Sequence, residues 1–178
     1  MDYSEYLEAR FTFRQAANAA AFPLNTLRSY YQRQWFRSFV AEPTSRRGSA
    51  RKLCLGDILL LAIASRLIDQ GERPLNAYNA ALPFGIVGSL PETLRKRGQP
   101  PRRPFELFDR DRFDTYLLCR SGSASRIISV EKGAAVPVHQ GLDEEGKQFG
   151  VATTVICLNA VEATVFKELQ ISLVASRD

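Results

Sequence analysis

The stretch from Gly56 to Gly71 limits the architecture more than any other. Asp57 is placed to cap a helix, Ile58 to Ile68 fill it, and Gly71 ends it. Its apolar residues Ile58, Leu59, Leu60, Leu61, Ile63, Leu67 and Ile68 cover more than one face, where a surface helix shows a single stripe. Such a helix has to be covered on two sides, either by the rest of its own domain or at a dimer contact.

Two shorter helices precede it. Thr12 with Gln15 three positions on forms a capping box, which opens a helix from Phe13 to Ala20. Ala16, Ala17 and Ala20 are small enough for close approach to a neighbour. Pro23 stops continuation, because it lacks a donor and disfavours helical geometry at Phe22. Asn25 is placed to cap a second helix, Thr26 to Gln34, in which Leu27, Tyr30 and Tyr31 fall at i, i+3, i+4 and form the buried stripe. Arg28 and Arg33 fall off that stripe, with the short hydroxyl of Ser29 beside Arg28. Two short helices joined by a tight turn are the geometry of a DNA-binding helix-turn-helix, whose second helix enters the major groove. A plain helical hairpin with solubilising arginines is the alternative.

Charge favours the first reading. The net charge of +5 is not spread evenly: Arg10 to Lys52 carries nine basic residues against one acid, Glu42, a local +8. Residues 1–9 carry −3, and Leu53 onward balances to zero. Like charges concentrated this way repel unless a partner neutralises them, so a polyanion-binding surface is favoured over a merely solvated face. Within the block, aromatic Trp35-Phe36 leads into a loop-like Arg37 to Ala50 with Pro43, Gly48 and a basic Ser45-Arg46-Arg47, then Arg51-Lys52-Leu53. A short ribbon with a basic tip after a recognition helix is a wing, and arginine suits both the phosphate backbone and the minor groove. The candidate DNA contacts are therefore Arg14, Asn25, Thr26, Arg28, Ser29, Tyr30 and Arg33 on the helices, and Arg37, Arg46, Arg47, Arg51 and Lys52 around the wing.

The order of parts over residues 11–71 resembles the winged helix-turn-helix domain of the mercury-resistance-regulator (MerR-like) family. The residues that carry the resemblance are Phe11-Thr12-Phe13, Ala20-Ala21, Thr26-Leu27-Arg28-Ser29-Tyr30, Arg51, Asp57 and Gly71. It implies that Thr26, Arg28 and Tyr30 are recognition-helix contacts and Arg51 a wing contact. Ser29 stands where the family often has tyrosine, and the wing is long. The family's long antiparallel dimerisation helix and effector cysteines are missing, so neither dimerisation nor effector sensing carries over.

Farther on, Pro74 to Ala81 is expected to be helical, broken by Pro83-Phe84-Gly85, with another turn or two at 91–97. The run Lys96 to Pro104 is rich in proline and basic residues and reads as a linker, solvated or tracking a phosphate backbone. The expected division is a winged helix-turn-helix domain at 1–98, a linker at 99–104 and a small α+β domain at 105–178 for effector sensing, dimerisation or protein interaction. In the last, Phe113 to Cys119 and Arg126 to Val130 read as strands around a turn at Ser121-Gly122-Ser123. Val136-Pro137-Val138 reads as a short edge strand, Asp143 to Gly146 as a loop, Val151 to Cys157 as a strand, and Ala160 to Gln170 as a helix. The fold class is α+β.

No phosphate-binding, dinucleotide-binding or zinc-protease motif occurs in the sequence. Cys54, Cys119 and Cys157 form no C-x-x-C pair, His139 is the only histidine, and Asp109, Asp111 and Asp114 alternate with Arg110 and Arg112. No enzymatic activity, cofactor or metal is expected. No window approaches the ~18 apolar residues of a membrane span, and the acidic N-terminus is not a secretory signal. The expectation is a cytoplasmic, sequence-specific DNA-binding protein, a transcriptional regulator acting as a homodimer on double-stranded DNA beside RNA polymerase. The rivals are an excisionase-like or phage-type architectural or packaging factor, and a protein–protein adaptor on a winged-helix fold.

Overall fold

The apolar helix lies at the centre. In the computed structural model, which describes residues 3–39, 52–86, 102–120, 125–136 and 154–171, it spans Leu55–Asp69 (α4), and twelve of its fifteen residues are buried. Around it run α1 (Tyr3–Leu7), β1 (Phe11–Thr12), α2 (Phe13–Ala19), α3 (Leu24–Gln32), β2 (Lys52–Leu53), α5 (Pro74–Ala81), α6 (Pro83–Ile86), β3 (Phe113–Cys119), β4 (Ser125–Glu131), β5 (Thr154–Cys157) and α7 (Leu158–Glu168). The cover on α4 comes from within the chain, since α1, α2, α5 and α7 all pack against it. Asp57 is not the N-cap: Cys54 is, and Asp57 stands three positions later. The Asp57 amide donates to Cys54 Sγ at 3.3 Å, and the Cys54 amide donates to Asp57 Oδ2 at 3.2 Å. This is a capping box with sulfur in place of the usual hydroxyl. Burial pushes the Cys54 thiol up to about 12, so it serves this role protonated.

The capping box at Thr12 forms as expected: the Gln15 amide donates to Thr12 Oγ1 at 3.3 Å and the Thr12 amide to Gln15 Oε1 at 2.9 Å. The second helix starts earlier than expected, at Leu24, with Pro23 at the N-cap and no side-chain cap. Asn25 therefore lies inside the first turn rather than capping it. Among the described residues, four helices end alike. The amides of Phe22, Trp35, Glu72 and Ile171 reach back to the carbonyls of Ala17, Tyr30, Leu67 and Phe166. The preceding residues Ala21, Gln34, Gly71 and Gln170 have φ between 55° and 97°. This is the left-handed terminus that glycine normally occupies, and only α4 uses glycine for it.

β1 and β2 pair antiparallel, Phe11 with Leu53 and Thr12 with Lys52. The other sheet is antiparallel in the order β4-β3-β5, with Phe113 opposite Glu131 and Leu117 opposite Ile156. Helix α7 follows β5 directly and packs against β3. On the other side of the sheet Leu118, Ile128 and Val130 form a small second cluster with Tyr116, Val136 and Val155. The protein is thus a mixed helix-and-sheet, α+β fold.

One core runs through both halves, from Tyr6 and Phe11 through α4 to Leu117, Ile156, Val165 and Phe166. Residues on either side of the expected 99–104 linker meet in it. Arg102, inside that linker, is neither solvated nor available to a phosphate. It is 6% exposed, and its guanidinium donates to the carbonyls of Phe84 at 3.1 Å, Pro83 at 3.2 Å and Glu106 at 3.0 Å. The end of a helix leaves carbonyls without amide partners, and a guanidinium fork can satisfy several at once. Burial lowers the Arg102 pKa to about 10, which leaves it a cation at neutral pH. Three residues on, Phe105 (φ 62°) pushes a fully buried ring between α4 and α6. A Cβ on Gly56 or Gly85 would come within 2.8 or 2.6 Å of that ring, so both positions need glycine for the plug to fit.

The expected turn at 121–123, the Pro137-Val138 part of the edge strand, the loop at 143–146, the turns at 91–97 and the wing tip lie outside the described residues.

Candidate nucleic-acid interface

The outward side of α3 is fixed by what its inward side packs against. Leu27 is fully buried and Tyr31 nearly so. The Tyr31 ring stands edge-on to Phe13 at 5.1 Å and to Phe36 at 6.3 Å. Tyr30 is half-buried, its ring 5.0 Å from Phe36, 5.4 Å from Trp35 and 6.1 Å from Phe22. This aromatic cluster supports α3 along its length and its C-terminal turn. Tyr30 is chiefly one of its packing members.

What remains outward is polar and basic. Asn25, Arg28 and Gln32 are exposed at i, i+3, i+7, a stripe separate from the buried one. Arg33 is exposed with its guanidinium over the Trp35 ring at 5.1 Å, and Thr26 and Ser29 are half-buried at the margin. Arg14 is exposed on α2 and Arg37 on the chain leaving α3. Lys52 is exposed opposite Thr12, the residue that caps α2. Arg46, Arg47 and Arg51 lie outside the described residues.

Among the described residues, none of Arg14, Arg28, Arg33, Arg37 and Lys52 lies within ion-pair distance of a carboxylate; Arg10 pairs with Glu8 at 3.7 Å and Arg110 with Glu162 at 2.5 Å. Exposed cations with no carboxylate beside them can donate to phosphate or base acceptors without first breaking a salt bridge.

A second group of residues was not legible as part of this region. The chain leaving α3 is tied down at three consecutive positions. The Tyr78 hydroxyl donates to the Arg37 carbonyl. Ser38 Oγ donates to Asp57 Oδ2 at 2.6 Å and the Phe39 amide to Asp57 Oδ1 at 2.8 Å. The Phe39 ring meets Phe105 edge-on at 5.3 Å. Burial raises the Tyr78 pKa, so its hydroxyl stays a donor, and its ring stacks on Phe36 at 4.7 Å. Asp57 gives a sequence signal only as a helix opener. Its second set of partners lies eighteen and nineteen residues upstream, across the basic loop, and no local spacing points to them.

Among the described residues no helix is long and apolar enough to cross a membrane. No protein-family model matches this sequence, and no curated protein is significantly similar to it.

Proposed function

We propose that the protein binds double-stranded DNA sequence-specifically through a MerR-like winged helix-turn-helix and acts as a transcriptional regulator. In this reading α2 supports, α3 enters the major groove, and β1 with β2 forms the base of a wing whose basic tip meets the backbone. The observation that carries it is the two-sidedness of α3: Leu27 and Tyr31 buried, Asn25, Arg28, Gln32 and Arg33 exposed, and no carboxylate opposite either arginine among the described residues. Arginine and asparagine are the side chains suited to guanine and adenine edges in the major groove.

The test is Arg28→Ala against a duplex enriched from a random-sequence pool. Specific affinity should fall by ~1–3 kcal/mol while the circular dichroism spectrum stays unchanged. Unchanged affinity at physiological salt would sink the assignment. Binding without any site preference would favour the architectural alternative, a factor that bends or bridges DNA.

A further inference from the structure

We infer that Tyr78 and Asp57 are positioning residues for DNA binding: together they clamp Arg37–Phe39, the root of the basic segment, so that Arg37 is presented to a DNA phosphate. The inference rests on the DNA-binding reading above and adds to it residues that touch no DNA.

The geometry is specific. Helix α3 ends at the left-handed Gln34, and the chain turns through Trp35 and Phe36. Phe36 is 1% exposed and wedged among Phe22, Tyr30, Tyr31 and Tyr78. The next residue, Arg37, is exposed at its side chain while its carbonyl accepts from Tyr78 on α5. The two after it are held by the two carboxylate oxygens of Asp57, one each. Asp57 is 1% exposed and also accepts the Cys54 amide. One buried carboxylate therefore closes the start of α4 and fixes the chain that arrives from α3.

The ties satisfy the buried Asp57 carboxylate and at the same time fix the chain that makes them. Successive ties to buried groups on two different helices remove the backbone freedom that an exposed arginine would otherwise lose on contacting a phosphate. Phe39, third in the run, leans on the Phe105 plug, so the root is braced from a third direction as well.

The test compares four full-length proteins: wild type, Arg37→Ala, Tyr78→Phe and the double variant. The probe is a labelled mixed-sequence duplex about 30 base pairs long, about three helical turns. Tyr78→Phe keeps the ring stacked on Phe36 and removes only the hydroxyl. Ser38→Ala, which removes one donor to Asp57 at a half-buried site, serves as an independent second variant should Tyr78→Phe fail to fold. Arg37→Ala should weaken binding roughly three- to tenfold and flatten the dependence of log K on log[salt] by about one unit. Tyr78→Phe, and to a smaller degree Ser38→Ala, should weaken binding in the same direction. The double variant should be no weaker than Arg37→Ala alone, because a residue that acts through another is not additive with it.

Tyr78→Phe and Ser38→Ala binding like wild type while Arg37→Ala weakens would overturn the clamp and leave the DNA reading intact. Additive losses in the double variant would also overturn it, since Tyr78 would then act elsewhere. An Arg37→Ala variant that binds as wild type does would remove the contact the clamp is said to present. Wild type that does not bind the duplex at all defeats the DNA reading itself, and the clamp with it.

Discussion

The fold handles two sets of arginines in opposite ways. Around the C-terminal sheet and its approach, two arginines are consumed by the architecture, while Arg103, Arg112 and Arg120 stay exposed. Arg102 is buried under four helix-end and loop carbonyls, and Arg110 reaches Glu162 on α7 at 2.5 Å. On α2, α3 and the chain that follows, Arg14, Arg28, Arg33 and Arg37 are exposed, and none faces a carboxylate among the described residues. The sequence already separates the regions by charge, +8 in one block and zero after it. The structure adds that Arg28, Arg33 and Arg37 stand over buried aromatic packing, while Arg102 and Arg110 are drawn to polar groups of the fold. A cation spent inside a fold says nothing about partners, whereas several exposed cations in one basic block, with no carboxylate beside them among the described residues, offer a surface to an anion.

Both regions rest on one support. Leu27 under α3 and Leu59 in α4 are each at most 1% exposed. Replacing either with alanine should remove ~2–5 kcal/mol of stability, measured by urea denaturation. Because α4 lies under both regions, Leu59→Ala should lower both together, in one transition. Variants that unfold at the wild-type denaturant concentration yet fail to bind DNA would place these leucines in the interface instead of the core.

Glu162 sharpens the other side. Its side chain is 2% exposed, and its Oε1 has no hydrogen-bond partner among the described residues. Burial raises its pKa from 4.5 to about 7, outweighing the downward pull of Arg110. Between those values the folded protein holds a proton that the unfolded chain releases. Stability should therefore fall as pH rises from 4.5 through about 7 and stay level above, by on the order of 3 kcal/mol in all. Glu162→Gln, which cannot ionise, should flatten that slope and be the more stable protein at about pH 8. A wild-type stability profile that rises across the same window would show that the ion pair with Arg110 governs the group, not its burial.

Elements whose signals are local were legible in the sequence. The Thr12–Gln15 capping box, the Pro74–Ala81 helix and the Phe113–Cys119 strand appear where spacing puts them. The all-round apolar helix is buried as its composition demands. Helix ends were harder. Gly71 announces its left-handed stop, but Ala21, Gln34 and Gln170 adopt the same conformation with side chains that carry no such signal. Arg102 misled for a related reason: a basic, proline-rich run looks like linker, and only tertiary contact reveals a guanidinium gathering carbonyls. Of the candidate interface, the exposed arginines on α3 were readable from the periodicity of Leu27 and Tyr31. The clamp was not, because Asp57, Tyr78 and Phe105 reach the root of the basic segment from positions far away in the chain.

The central claim is that the outward cations of α3 meet phosphates and bases. It is tested most directly by the salt dependence of duplex binding for wild type and for the Arg28→Ala/Arg33→Ala double variant. Each phosphate contact releases condensed counterions, so wild-type affinity should fall steeply with salt, and the double variant should show a slope of log K against log[salt] shallower by about one to two units. A double variant with the wild-type slope, or wild-type binding that does not depend on salt, would contradict the account and leave these arginines as solubilising charge.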